Sequence, residues 1–240
     1  MLATAPVPPQ KRSTRAVDAP PPFHNVPPPN EFYADVGLVD ELRARFVATG
    51  GDGAPPPAQS LTGLGGLGKS SAAAAYCHRY RGEYAGGVLW VGASADDVEQ
   101  GLRDAAAALG VQKIDDAIDV RVPLKDALCR RRGRWLLVLD NADDEAELRA
   151  ATRWLVGAAG GDVLITTRCA APHTLALGVA PGDPLRLERM TEEQARDFLR
   201  RRTGREEESL GENARKEQAE ERKRQDHALR EVMKFLMLPT

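Results

Sequence analysis

The stretch "LTGLGGLGKSS", Leu61 to Ser71, constrains this chain more than any other. Glycines at 63, 65, 66 and 68 give the backbone a freedom that regular helices and strands penalise. The alanine-rich "KSSAAAAYCHRYRGEY" that follows favours a helix, and "SLT" before it reads as a short strand. Strand, glycine loop and helix in succession fit two ligand chemistries. Gly63, Gly65 and Gly68 match the dinucleotide fingerprint G-x-G-x-x-G, whereas Gly63, Gly68, Lys69 and Ser70 match the phosphate loop G-x-x-x-x-G-K-[ST].

A dinucleotide site needs an acid about 20 residues onward, at the tip of the second strand. That strand ends "VLWVGAS" without one, and Asp96 and Asp97 read as the start of the next helix. The phosphate reading gives every residue of the motif a task. Gly63, Leu64, Gly65, Gly66, Leu67 and Gly68 can turn successive N–H groups toward phosphate oxygens. The helix from Lys69 and Ser70 through Ser71 points its positive end at the same anion. Lys69 would reach the β- and γ-phosphates, and Ser70 would ligate Mg²⁺. "WLLVLD" supplies the complement: an apolar run typical of a buried parallel strand, ending in Asp140, an acid for the Mg²⁺ shell. A nucleoside triphosphate site follows. No Asn-Lys-x-Asp guanine motif occurs, which favours adenine.

Apolar and turn signals divide the chain in three. Residues 1–30 are proline-rich without apolar periodicity and read as a disordered or polyproline-like leader. Residues 31–204 alternate strands ("GVLWVGAS", "RWLLVLD", "DVLITTR", "PLRLERM") with helices, which means α/β architecture: a parallel central sheet between helical layers, the three-layer phosphate-loop sandwich. "APPPAQSLT" makes a poor first strand, because proline cannot donate to an interior ladder. "TEEQARDFLRRRTG" opens like a capping box, with Thr191 three residues before Gln194. Residues 205–240 are mostly charged, with Glu212 and Lys216, Glu220 and Arg224, and Asp226 and Arg230 at helical spacing. They read as a solvated helix docking by its last turns.

Composition narrows the partners. A net charge of -2 disfavours a general nucleic-acid binder. No apolar run approaches the roughly 20 residues that span a bilayer. Cys77, Cys129 and Cys169 are odd in number and scattered, which suits free thiols in a reducing, cytoplasmic setting. Cys77 and Cys129 are expected to be buried on helices, and Trp90, Trp135 and Trp154 to lie in or beside the core. Lys11, Arg12 and Arg15 before the first acid leave an organelle transit peptide as an alternative, which the prolines disfavour.

"GLGGLGKS", "RWLLVLDNADD" and "DVLITTR", in this order, resemble the NB-ARC family of STAND-class nucleotide switches, found in plant defence, apoptosis and microbial regulation. The resemblance runs from about Glu31 to Gly204. It implies Mg-dependent binding of ATP or ADP, with ADP holding an off state and ATP permitting assembly with a protein partner or with further copies. On that basis Lys69 is the phosphate lysine, Ser70 and Asp140 hold the metal, and Arg168 senses the γ-phosphate. There are departures. Leu38 stands where the opening motif has arginine, and Asn141 where many members carry a second acid. An amide cannot take a proton from water, so hydrolysis is expected to be slow or absent. Asp143 or Asp144 could substitute for that acid, though no spacing rule selects either, and both read more readily as acids favoured by a helix N-terminus. The family's Gly-Leu-Pro-Leu and winged-helix motifs do not occur. Two rival readings remain: a working ATPase of another phosphate-loop class, and a non-catalytic interaction protein acting through its leader and tail.

Overall fold

The computed structural model describes residues 21–31, 33, 36–49, 55–111, 118–143, 145–170 and 180–203. Residues 1–20 of the leader and the whole 205–240 tail lie outside them. Two units separate: one spans 1–30 and 35–188, and the other spans 31–34 and 189–240.

The first unit is organised on its apolar strands. "WLLVLD" forms β4 (Trp135–Asp140), flanked by β3 (Gly87–Gly92) and β5 (Gly161–Thr167). The interior of each is buried on both faces, as its unbroken apolar run requires. β2 (Pro57–Thr62) joins the far side of β5. β6 (Ala180–Pro181) and β7 (Leu185–Arg186) both pair with β2, and β1 (Phe23–His24) pairs with β3. The order is β1-β3-β4-β5-β2-β6, with β7 also on β2, and every pairing is parallel.

Side chains alternate across a strand, and the core follows that alternation. Leu89, Val91, Leu137, Leu139, Val163 and Ile165 share one buried cluster with α3 (Val98–Ala108), α4 (Arg121–Cys129) and α5 (Glu145–Thr152). Val88, Leu136, Val138 and Leu164 are buried outside that cluster. α1 (Val36–Thr49) and α2 (Lys69–Tyr80) pack on each other, and α2 also contacts β5. Helix, sheet, helix is the three-layer P-loop NTPase architecture. Gly161 is obligatory in it. A Cβ there would lie 2.0 Å from the Trp135 ring, which sits against the backbone and donates to Ala159 O at 3.1 Å.

Several elements differ from the sequence reading. β2 starts at Pro57 and is fully buried, despite its prolines. Proline occupies only the first strand position; the ladder to β5 begins at Ala58, which has its N–H. The leader's last residues join the sheet through β1, and Val88 N–H reaches Pro22 O at 2.8 Å. "PLRLERM" contributes only the two residues of β7. Cys129 is exposed at the end of α4 rather than buried, whereas Cys77 is buried in α2. Trp90 and Trp135 are core residues, and Trp154 packs against the core.

In the second unit α6 (Glu192–Thr203) carries the expected capping box. Gln194 N–H reaches Thr191 Oγ1 at 3.2 Å, and Thr191 N–H reaches Gln194 Oε1 at 2.9 Å. Among the described residues, no helix is long and apolar enough to cross a membrane.

Candidate functional site

The site forms where β2, β4 and β5 end at one edge of the sheet, the edge where open parallel sheets hold ligands. After Thr62 the chain turns through Gly63 (φ 143), Gly66 (φ 79) and Gly68 (φ 91), backbone conformations that side chains rarely adopt. At Gly63 space also excludes a side chain, since a Cβ would meet Leu187 O at 2.7 Å. At Gly65, Gly66 and Gly68 a Cβ would meet nothing within 4 Å, so the loop borders open space. α2 starts with Ala72 N–H on Gly68 O at 2.8 Å. Among the described residues, the amides of Lys69, Ser70 and Ser71 have no backbone carbonyl, as the first turn of a helix dictates. This combination of left-handed glycines and orphan helix amides is an anion cradle.

Lys69 is 7% exposed, and its Nζ donates to Gly63 O and Leu64 O, both at 2.9 Å. An ammonium has three protons, so one N–H remains for an anion. The lysine therefore folds over the loop and holds its positive charge beside the cradle.

Asp140, the last residue of β4, is half-buried. Its Oδ1 accepts from Ser70 Oγ at 2.8 Å and from Thr166 Oγ1 at 2.5 Å. Thr166 Oγ1 in turn accepts Asn141 N–H at 3.0 Å, which holds Asn141 at φ 62. Among the described residues no Lys or Arg lies within ion-pair distance of Asp140, and its Oδ2 has no hydrogen-bond partner. A serine hydroxyl and a carboxylate with a spare oxygen are hard donors of the kind Mg²⁺ takes, with one or two protein ligands and the rest water or phosphate. The donor set fits that cation.

Arg168 lies just past β5 and is paired with Asp143. Its Nε donates to Asp143 Oδ2 at 2.6 Å, a terminal nitrogen reaches the same oxygen at 2.6 Å, and its N–H reaches Oδ1 at 3.1 Å. The carboxylate holds the guanidinium pKa above its already high value. Asp143 stands two residues before α5, in keeping with the sequence reading of a helix-terminal acid, and it is also the counterion of Arg168. Asp144 lies outside the described residues.

Lys69, Ser70 and Asp140 thus come together as their motifs imply, while Arg168 is held one position aside. Two hydroxyls have no role in the sequence reading. Thr166 orients Asp140, and its signal was its place in "ITTR", directly across β5 from the end of β4. Thr62 Oγ1 is buried without a partner beside Gly63, which no local pattern reveals.

Comparisons with known proteins bear on the family and the fold. The family model of the NB-ARC domain matches residues 40–209. The Regulatory protein AfsR of Streptomyces griseus is 31% identical over 170 residues, covering 65% of this chain and 17% of that protein. Its namesake from Streptomyces coelicolor is 32% identical over 174 residues, covering 66% and 17%. The chain therefore spans less than a fifth of these relatives. Among solved structures, the Orc1 protein of Aeropyrum pernix, in complex with DNA, superposes with a TM-score of 0.53 at 21% identity, covering 70% of this chain and 48% of that one. Cdc6p from Pyrobaculum aerophilum gives a TM-score of 0.52 at 18% identity, covering 68% and 46%. These two likenesses concern the fold alone.

Proposed function

Since this chain belongs to the NB-ARC family and has its P-loop NTPase nucleotide-binding core, we propose that it is a switch module for signal transduction, off with ADP and on with ATP. One observation carries the reading. Lys69 is buried over the glycine loop while Ser70, one residue on, contacts Asp140, 70 residues away, at 2.8 Å. Phosphate cradle and metal-side acid thus form a single site.

In this reading the amides from Gly63 to Ser71 and the spare Lys69 proton bind the β- and γ-phosphates. Ser70 and Asp140 hold Mg²⁺, which neutralises charge across those phosphates. Thr166 keeps Asp140 aimed. Binding energy at the phosphates orders the loop, and only a contact that differs between ATP and ADP can shift the population. Arg168 is the residue that reads this difference. Hydrolysis is slow, because Asn141 cannot accept a proton and both Asp143 oxygens are taken by Arg168. The output is a protein partner or further copies of the chain, and a regulatory role accords with the likeness to the Regulatory protein AfsR.

The test is direct. The purified chain is denatured and its released nucleotide identified, beside Lys69→Ala. ADP or ATP from the parent and none from the variant is the expected result. A parent that carries no nucleotide, and whose melting temperature ignores added Mg-ATP and Mg-ADP, rejects the reading.

A further inference from the structure

Arg168 stands between two places able to hold a guanidinium. The sheet order sets β5 between β4 and β2. The register pairs Thr167 with Thr62, so one step further Arg168 emerges beside Gly63, the first residue of the glycine loop. On its other flank is Asp143, just beyond the end of β4. The side chain takes the second place, with two contacts to that carboxylate, and the Arg168 backbone N–H adds a third. Asp143 is itself braced. Its N–H donates to Glu147 Oε2 at 2.8 Å, and Glu147 Oε1 accepts Ala95 N–H at 3.2 Å. The carboxylate engages both guanidinium donors through Oδ2 while Oδ1 takes the backbone N–H, so an incoming phosphate oxygen competes for the same two donors.

We propose that Asp143 is a built-in competitor for the γ-phosphate, a carboxylate that holds Arg168 off the nucleotide until a γ-phosphate draws it across. The proposal deepens the switch reading and rests on it. ATP must break the pair and ADP need not, so Asp143 selectively weakens ATP binding. The pair is poised for exchange. Arg168 is 62% exposed and Asp143 22%, and exposed ion pairs are weak enough for a more highly charged anion to win.

The experiment titrates the full chain, in Mg²⁺, with ADP and with a non-hydrolysable ATP analogue. Asp143→Asn keeps the shape and removes the charge. It should tighten the ATP analogue roughly twofold to fivefold, the range an exposed pair allows, and leave ADP unchanged. Asp143→Glu keeps the charge and should restore the parent's ratio. Arg168→Gln should abolish discrimination between the two ligands, and adding Asp143→Asn to it should change nothing further. Equal shifts for both ligands in Asp143→Asn, or weakened ATP-analogue binding, would overturn the proposal, since either means that Asp143 merely shapes the loop. If the parent binds both nucleotides and Arg168→Gln leaves their ratio intact, the competitor falls and the nucleotide site stands. A parent that binds neither removes both.

Discussion

Two carboxylates sit at opposite edges of the same sheet, Asp140 at the end of β4 and Asp162 near the start of β5. Asp162 is 1% exposed and fully engaged within the protein. Its Oδ1 accepts from Arg134 at 2.5 Å and its Oδ2 from Tyr84 Oη at 3.0 Å. Since Tyr84 gives its proton to Asp162, Tyr76 donates to Tyr84, at 2.7 Å. Burial pushes both phenols well above their ordinary pKa, so they remain neutral donors. Asp140 is the reverse: half-buried, served by two hydroxyls on one oxygen, with no cation among the described residues. A carboxylate whose charge is answered inside the fold serves stability. One whose charge is left for something outside the fold serves binding.

That contrast can be broken at either edge. The largest effect is expected from Arg134→Met, which leaves Asp162 buried and uncompensated. The cost should be about 3 kcal/mol, the low end for a broken buried pair because Arg134 is 38% exposed. Denaturant unfolding without nucleotide checks it, with nucleotide binding in the folded fraction unchanged. Lys69→Ala should act the other way round. The parent should gain about 2.7 kcal/mol at a ligand concentration a hundredfold above its dissociation constant, and the variant none. Melting curves with and without Mg-ADP read this out. Tyr84→Phe removes the hydrogen bond to the Asp162 carboxylate and the acceptor of the buried Tyr76 hydroxyl together, and should cost about 2 kcal/mol, again without touching nucleotide affinity.

The smallest effect concerns pH. Burial raises the Asp162 carboxyl above its ordinary value, with Arg134 pulling against it, so the folded state keeps that proton longer than the unfolded chain does. Its contribution is complete below the ordinary carboxylate pKa and is lost as pH rises through the raised value. Asp162→Asn should remove this component, so that the variant no longer loses it as pH rises above the ordinary carboxylate range in denaturant unfolding. Identical pH profiles for parent and variant would mean that the Arg134 pair cancels the burial.

How far each edge could be read beforehand differs for a physical reason. The glycine loop, its lysine and its serine are spelled within "GLGGLGKS", and Asp140 is marked by the apolar run before it. The Asp162 network left no trace, because Tyr76, Tyr84, Arg134 and Asp162 belong to four separate segments and none has a spacing rule. β2 was underread because its prolines argue against a strand. Only the observed ladder shows that Pro57 stands at the first position, where a missing N–H costs little. Cys129 was misjudged because helical position alone does not say which side of α4 meets the sheet.

The sequence by itself determined the strand–loop–helix unit, the two halves of the phosphate site and the parallel α/β class. These depend on short-range backbone preferences and on apolar runs that must be buried on both faces. The tertiary structure alone decided which acid each cation meets. Arg168 and Asp143 are 25 residues apart in the chain. They meet only because β4 and β5 are neighbours in register, and an ion pair is set by distance in space, not along the chain.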